Sequence, residues 1–452
     1  MLHILKPKQL KEEHTMRCAF YEKELTPPLG SDIPGYYINR FTQDVKDELY
    51  VRAVVFAPDA DDPAGTLAVL TIDAVNVQRA VADAIKTRAN AFTGIPVENI
   101  AVIANHSHYG IPHGGYGSER DDEFMGIFPR LAADAITLAY KRLQPCKLTY
   151  GMGKEDSCAY VRDYVMDNGV IVTNPTGKNA EHLVRHYSDP DPDLPVLTVW
   201  NEAGQRMGVI FSYALHQDSA GGLCYSGDFS SEIANQLKAR YGHKFGSIFV
   251  PGYCGDINHH DRFGDMSKWN HRTIGKLLAD VIVDVTEKGS TPVTDDTLKI
   301  SAKSIVVQRR RLTQEQIDHC HWVLEDPKNR KSPYMMLGSN GYVVQLEYEA
   351  DAAKLPNNDV DMPLQVMRIG DVWFFISPYE VYHQYAQPLK EAAPSGKWLM
   401  SEMANTEGSY VPITELVGTD IYPAWLCGGS WLEWEAGNKM IAKLIEMAEE
   451  LK

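Results

Sequence analysis

The sequence predicts an α/β fold, a layered mixed β-sheet with flanking helices, in one domain. Three observations point there. Apolar, β-branched strands alternate with helical segments through the first half of the chain in the order β-β-α-β-α, the pattern of a layered architecture. No Pro-, Ser- or Gly-rich linker and no repeat divides the 452 residues. The composition, 44% hydrophobic and 23% charged, supplies the side chains for a large core.

The elements follow in order. MLHILKPKQLKEEHTMRCAF is interrupted by Lys6, Lys8, Lys11, Glu12 and Glu13, so it lacks the apolar run of a signal peptide. Residues 1–20 read as a poorly structured extension, a start at Met16 would serve as well, and the domain proper spans 21–452. LYVRAVVFA (49–57) and TLAVLTIDA (66–74) are strands around the turn PDADDPAG. VQRAVADAIKTRANAF (77–92) has apolar residues at helical spacing, IAVIA (100–104) resumes as a strand, and a second helix occupies 121–144. PDLPVLTVWN (192–201) and RMGVIFSYAL (206–215) form a hairpin. DFSSEIANQLKARYG (228–242) is a helix capped by Asp228 or a nearby serine, KFGSIFVPG a strand, and RTIGKLLADVIVDVTEKG (272–289) a helix ended by Gly289. Residues 297–365 read as an irregular excursion from the same domain. GDVWFFIS (370–377) is an apolar strand, followed by the helix YEVYHQYAQPLKEAA.

Charge and cysteine content narrow the function classes. The formal net charge is −16, from 60 acidic against 44 basic residues, a field that repels phosphate backbones and argues against nucleic acid. The compact basic run Arg309-Arg310-Arg311 reads as a solvated strand end. No window approaches 18 uncharged apolar residues, so no transmembrane helix is expected. The seven cysteines (18, 146, 158, 224, 254, 320, 427) form no C-x-x-C pair, which suggests unpaired thiols in a reducing compartment, by default the cytoplasm. Oligomeric state is left open.

Four polar clusters stand just past the ends of apolar strands: His106 and His108 after IAVIA, His216 after VIFSYAL, GYCGDINHHD (252–261) after SIFV, and Glu380 after VWFFI. Strand ends in open α/β sheets converge on a crevice where ligands bind. In an extended segment His106 and His108 would point the same way and share one cavity. Neutral imidazole is a good zinc ligand, and catalytic zinc sites keep one coordination position open. Taken singly, an H-x-H pair also fits hydrogen-bonded core histidines, and Glu380 also fits a helix N-terminus.

Seven motifs in order then resemble the neutral/alkaline, non-lysosomal ceramidase family over nearly the whole chain. They are ELTPPLGSDIPGYY (24–37), NHSHYGIPHGGYG, YVRDYVMDNGVIVTNP (160–175), ALHQDSAGGLCYSGDFSS, PGYCGDINHHD, SPYE and ANTEGSYVPITE…IYP. Departures are Glu24 for an Asp, Val161 for an Asn, Asn258 for a serine, and one residue inserted before Pro112. The resemblance implies a catalytic domain without the family's C-terminal β-sandwich. It implies Zn²⁺ held by His106, His216, Glu380 and Tyr410, with His108 as general base. It also implies that Arg162 and Tyr422 hold or polarise the scissile carbonyl. Asp228 and Asp256 are candidates to orient ligand imidazoles or, equally, to stabilise a cap and a turn. The aromatic stretch YPAWLCGGSWLEWEAG (422–437) packs a core or walls a pocket.

The expected activity is therefore zinc-dependent hydrolysis of an amide, N-acyl or cyclic, in a small molecule, with ceramide and a smaller soluble amide both open as substrates. Hydrolysis of an ester or another acyl derivative is an alternative, since both pass through the same oxyanion. A non-catalytic metal-stabilised protein is another, although structural zinc sites are closed and usually cysteine-rich. A Ser-His-Asp hydrolase is disfavoured because no G-x-S-x-G elbow occurs.

Overall fold

The computed structural model of the protein describes residues 16–36, 38–59, 61–115, 118–330, 338 and 340–452. Strand β1 (Arg17–Glu24) pairs antiparallel along its whole length with β2 (Tyr50–Ala57). Antiparallel to β2 lies β3 (Leu67–Ile72), which pairs in parallel with β4 (Ile100–Ala104) across helix α1 (Arg79–Thr93). Helix α2 (Asp122–Tyr140), capped where the Asp121 carboxylate accepts the Phe124 N–H, leads to β5 (Gln144–Lys154). The hairpin β6 (Asp193–Asn201) and β7 (Arg206–Tyr213) follows, and helix α3 (Asp228–Tyr241) crosses to β8 (Gly246–Pro251), parallel to β7. With Ser290–Pro292 against β5, these strands make a nine-stranded sheet in the order β8-β7-β6-β5-β1-β2-β3-β4.

A second sheet runs β9 (Leu298–Gln308), β10 (Asp359–Ile369), β11 (Val372–Ile376) and β12 (Trp398–Ser401), in that spatial order. It faces the first. Leu197, Ile210 and Ile248 from the large sheet share one buried cluster with Met367, Phe374 and Leu399 from the small one. Burial on both faces is why VWFFI is an unbroken apolar run with no polar alternation. Helices α1 and α2 cover one half of the large sheet's outer face. Helices α3 and α4 (His271–Asp284) cover the other half. The outer face of the small sheet packs under α8 (Ala436–Glu450) and α7 (Ala386–Ala392), with the aromatic stretch containing Trp431. The expected α/β layering is thus present as four layers, with two sheets inside.

Several expectations change in detail. Residues 1–15 lie outside the described residues, but Arg17–Phe20, assigned to an unstructured extension, form the first half of an interior strand with Cys18 fully buried. The stretch 297–365 is regular: β9 and β10 pair over eleven positions, and helices α5 (Gln314–Glu325) and α6 (Asn340–Ala352) occupy the connection. Helix α3 begins after Gly227 without a side-chain cap. Asp228 instead accepts the Ser219 and Ala220 N–H groups at 2.7 and 2.8 Å, which fixes the turn after His216. The run 309–311 is not a solvated strand end: Arg309 stacks on Trp431 at 4.0 Å, Arg310 on Trp434 at 4.2 Å, and Arg311 pairs with Glu349. All seven cysteines are buried thiols. Among the described residues, no helix is long and apolar enough to cross a membrane.

Candidate metal centre

The His106 side chain is aimed by a strained backbone rather than by strand alternation. Strand β4 ends at Ala104, and His106 takes φ +71°, a left-handed conformation uncommon for a non-glycine residue and typical of functional sites. Asn105 holds this turn: its side-chain carbonyl accepts the Ala74 and Ser107 N–H groups, and its amide donates to Asp73 at 2.7 Å. Ser107 forms a parallel β-bridge with Gln217, and the His108 N–H donates to the Gln217 carbonyl at 2.9 Å. This short zipper brings the exit of β7, with His216, beside the exit of β4.

Glu380 arrives from the other sheet. It leaves β11 through Tyr379 at φ +75° and pairs in register with Tyr410 in a two-residue parallel ladder, Glu380–Val381 against Tyr410–Val411. Parallel neighbours in register point the same way, so these two side chains share a face although 30 positions apart. Gly255 permits the approach of the 252–261 loop, because a Cβ there would sit 2.7 Å from the Glu380 carbonyl oxygen.

The donors converge. His106 Nε2 and His216 Nε2 lie 3.4 and 3.2 Å from Glu380 Oε2. The Nδ1 atoms of the two rings lie 2.7 and 2.8 Å from the Val75 and Cys254 carbonyl oxygens. A carbonyl only accepts, so both Nδ1 atoms carry hydrogen and both Nε2 lone pairs face the carboxylate. Without a proton or a cation among them, the two Nε2 atoms and the carboxylate oxygen would repel one another in this buried pocket; His216 Nε2 stands within hydrogen-bond distance of Glu380 Oε2. His106, His216 and Glu380 are 1, 4 and 3% exposed, and His106 Nε2 has no hydrogen-bond partner. The shifts have the same origin. Burial works against ionised Glu380, yet the facing imidazoles hold its carboxyl well below the usual range. Burial likewise opposes charge on His106, but Glu380 raises its pKa overall. His216 is pushed down to about 4 by burial and by His106. Two imidazoles and a carboxylate are ligand types that zinc takes, and the Tyr410 hydroxyl interacts with Glu380 beside them. His108 also lies near: the ring nitrogens of His106, His108 and His216 include a set all within 4.8 Å of one another, the one such group found among the described residues.

Around the centre stand the remaining expected residues. The Arg162 guanidinium lies 5.0 Å over the Tyr410 ring and donates to the Gly255 carbonyl at 2.5 Å. Burial alone would lower its pKa, but Tyr410, Tyr382 and Glu380 outweigh that and keep it charged. The Tyr422 ring meets Tyr410 edge-on at 5.3 Å. Arg310 fixes the loop after Tyr422 by donating to the Pro423, Ala424 and Ser430 carbonyls at 3.1 to 3.3 Å. Asp256 does not orient a ligand imidazole: it accepts from the His383 backbone N–H at 2.9 Å and lies 2.7 Å from His383 Nδ1. The orienting groups are backbone carbonyls, which carry no signature in a sequence.

Sequence reasoning also missed Asp163. It is fully buried, accepts the Tyr382 hydroxyl at 2.8 Å and the Thr173 hydroxyl, and Thr173 in turn accepts the Tyr422 N–H at 2.9 Å. Burial pushes its carboxyl up to about 6, from an ordinary 3.8. The folded protein therefore binds this proton more tightly than the unfolded chain, so the contribution to stability is complete below pH 3.8 and lost as pH rises through about 6. Relative to wild type, Asp163→Asn should gain about 2 kcal/mol between pH 4 and pH 7. Urea unfolding of both proteins at the two pH values measures it, and a constant difference would contradict the assignment.

The architecture matches known structures. Neutral ceramidase from Pseudomonas aeruginosa aligns with a TM-score of 0.68 at 16% identity, covering 97% of this chain and 75% of that one. The fold is that of neutral ceramidase. A structure of ceramidase complexed with C2 aligns with a TM-score of 0.71, at the same identity and coverage. No family model and no curated protein sequence matches the chain. The ceramidase fold is thus present here at 16% sequence identity.

Proposed function

We propose that this protein is a zinc-dependent hydrolase that cleaves an amide bond, N-acyl or cyclic, in a small molecule. The observation that carries the reading is the convergence of two Nε2 lone pairs and a carboxylate oxygen in a buried pocket of a ceramidase fold. His106, His216, Glu380 and Tyr410 would hold the ion. Zinc so bound supplies Lewis acidity and makes water a nucleophile at neutral pH.

The chain's own groups do the rest. Burial and the neighbouring imidazoles hold the His108 pKa well below 6.5, so its ring is neutral and able to accept a proton. It takes the proton of the attacking water as the new C–O bond forms, and returns it to the amine nitrogen as the C–N bond breaks. Arg162 and Tyr422 would donate to the oxyanion that forms between those steps, in a pocket where both are only 8% exposed. Tyr422→Phe should lower kcat by about 10² with zinc content unchanged.

The test is an activity screen over N-acyl amines, lactams and the matching esters, with and without a chelator. Amide turnover that stops on chelation and returns with added zinc is expected. Turnover confined to esters would move the substrate class, and chelator-resistant turnover would overturn the reading.

A further inference from the structure

At the opposite end of the large sheet from the histidines, a groove of about 1230 Å³ opens where α2 and α3 end and β8 begins. Its lining departs from the rest of this acidic chain. Arg52, Arg142, Arg206, Arg240 and Lys244 border it, and among the described residues Glu22 is the one lining carboxylate. Two of these cations are already neutralised: Arg52 pairs with Asp73 at 2.8 Å, and Arg240 with Glu287 at 2.8 Å. Glu22 itself is taken by Lys238. No carboxylate of the described residues lies within 4 Å of Arg142, Arg206 or Lys244.

Arg142 and Arg206 are also held ready, although Glu287, which pairs with Arg240, lies near enough to feel the Arg206 charge. Arg142 lies 4.5 Å over Tyr21, and Arg206 lies 4.4 Å over Trp200 and 5.3 Å from the Tyr241 ring. A guanidinium stacked on a ring keeps its planar fork of N–H donors in a fixed direction, the arrangement that matches a phosphate or carboxylate edge. Arg206 Nε is buried and has no hydrogen-bond partner. Helix-dipole complementation does not account for the cluster: Arg206 sits on strand β7, and α3 already has Lys238 and Arg240 in its last turn.

We propose that this groove binds a small, multiply charged oxyanion of the phosphate class, at a site separate from the candidate metal centre. The residues come from positions 142, 206 and 244, so no basic run in the sequence announces it.

Isothermal titration of the full chain with pyrophosphate tests this, with inorganic phosphate as the weaker probe. Expected are saturable 1:1 binding of pyrophosphate, at least tenfold weaker in Arg142→Gln/Arg206→Gln, and unchanged binding in His216→Ala. Lys276→Gln/Lys288→Gln removes the same charge from the exposed side of α4 and the turn after it, and should leave the affinity within twofold. No saturable binding, equal weakening in the two double variants, or loss of binding in His216→Ala would each overturn the proposal. A parallel arm uses vesicles containing phosphatidic acid. Capture of vesicles without binding of free pyrophosphate would overturn the assignment to a soluble anion.

Discussion

Replacing His106 or His216 with alanine is expected to empty the metal centre. Purified wild-type protein should carry about one zinc per chain, each variant close to none, and hydrolysis should fall below detection in both. The effect follows from the geometry. Each Nε2 lies within 3.4 Å of Glu380 Oε2, and each variant removes one of these converging donors. Removing one ring also takes away one of the two imidazoles that face the buried Glu380 carboxylate, so these variants should melt earlier as well. Glu380→Gln separates the two consequences, because it removes a donor together with the buried charge. It should lose zinc while unfolding near the wild-type apo-protein. Full metal content in either histidine variant, by elemental analysis, would refute the ligand assignment.

The same residues show how much of the site a sequence can carry. Each strand-end cluster was legible because an apolar run followed by polar side chains marks where a buried strand leaves the core, and β4, β7, β8 and β11 do end there. The H-x-H pair was found for a partly mistaken reason: His106 is turned by its left-handed backbone, not by extended alternation, and the rings still meet at 5.0 Å. Tyr410 was accessible only through resemblance. Its place depends on a two-residue parallel ladder with Glu380, a pairing too short and too distant in sequence to leave a periodic signal. The second sheet was missed for a related reason. Strand β9 is half-exposed along most of its length, and its partner β10 follows a connection of 50 residues that contains two helices. What the sequence could not show at all were backbone acceptors. The carbonyls of Val75 and Cys254 decide which imidazole nitrogen faces the centre, and any residue type supplies a carbonyl.

For His108→Ala the expected result is the reverse pairing: zinc retained, turnover lowered by about 10². The structure places this ring at the centre, beside His106 and His216. It is half-buried, its centroid is 5.9 Å from that of His216, and neither ring nitrogen has a hydrogen-bond partner. What fixes it is its surroundings. Arg40 donates to the His108 carbonyl at 2.6 Å, and Gly35 packs so closely that a Cβ there would lie 2.6 Å from His108 Nδ1. A ring held in place with free nitrogens and a lowered pKa can take a proton and release it, and this separates it from His106 and His216, whose Nδ1 atoms are committed to carbonyls. The pH profile follows with its sign: the base works unprotonated, so the acid limb of kcat/KM should fall below pH 6.5 and disappear in the variant. His108→Asn, close in size, should show the same kinetic loss with an unchanged melting temperature. Zinc lost from His108→Ala would make this ring itself a metal ligand, consistent with its place among the three clustered imidazoles, and would revise the ligand set. Zinc kept with normal turnover would leave proton transfer to another group.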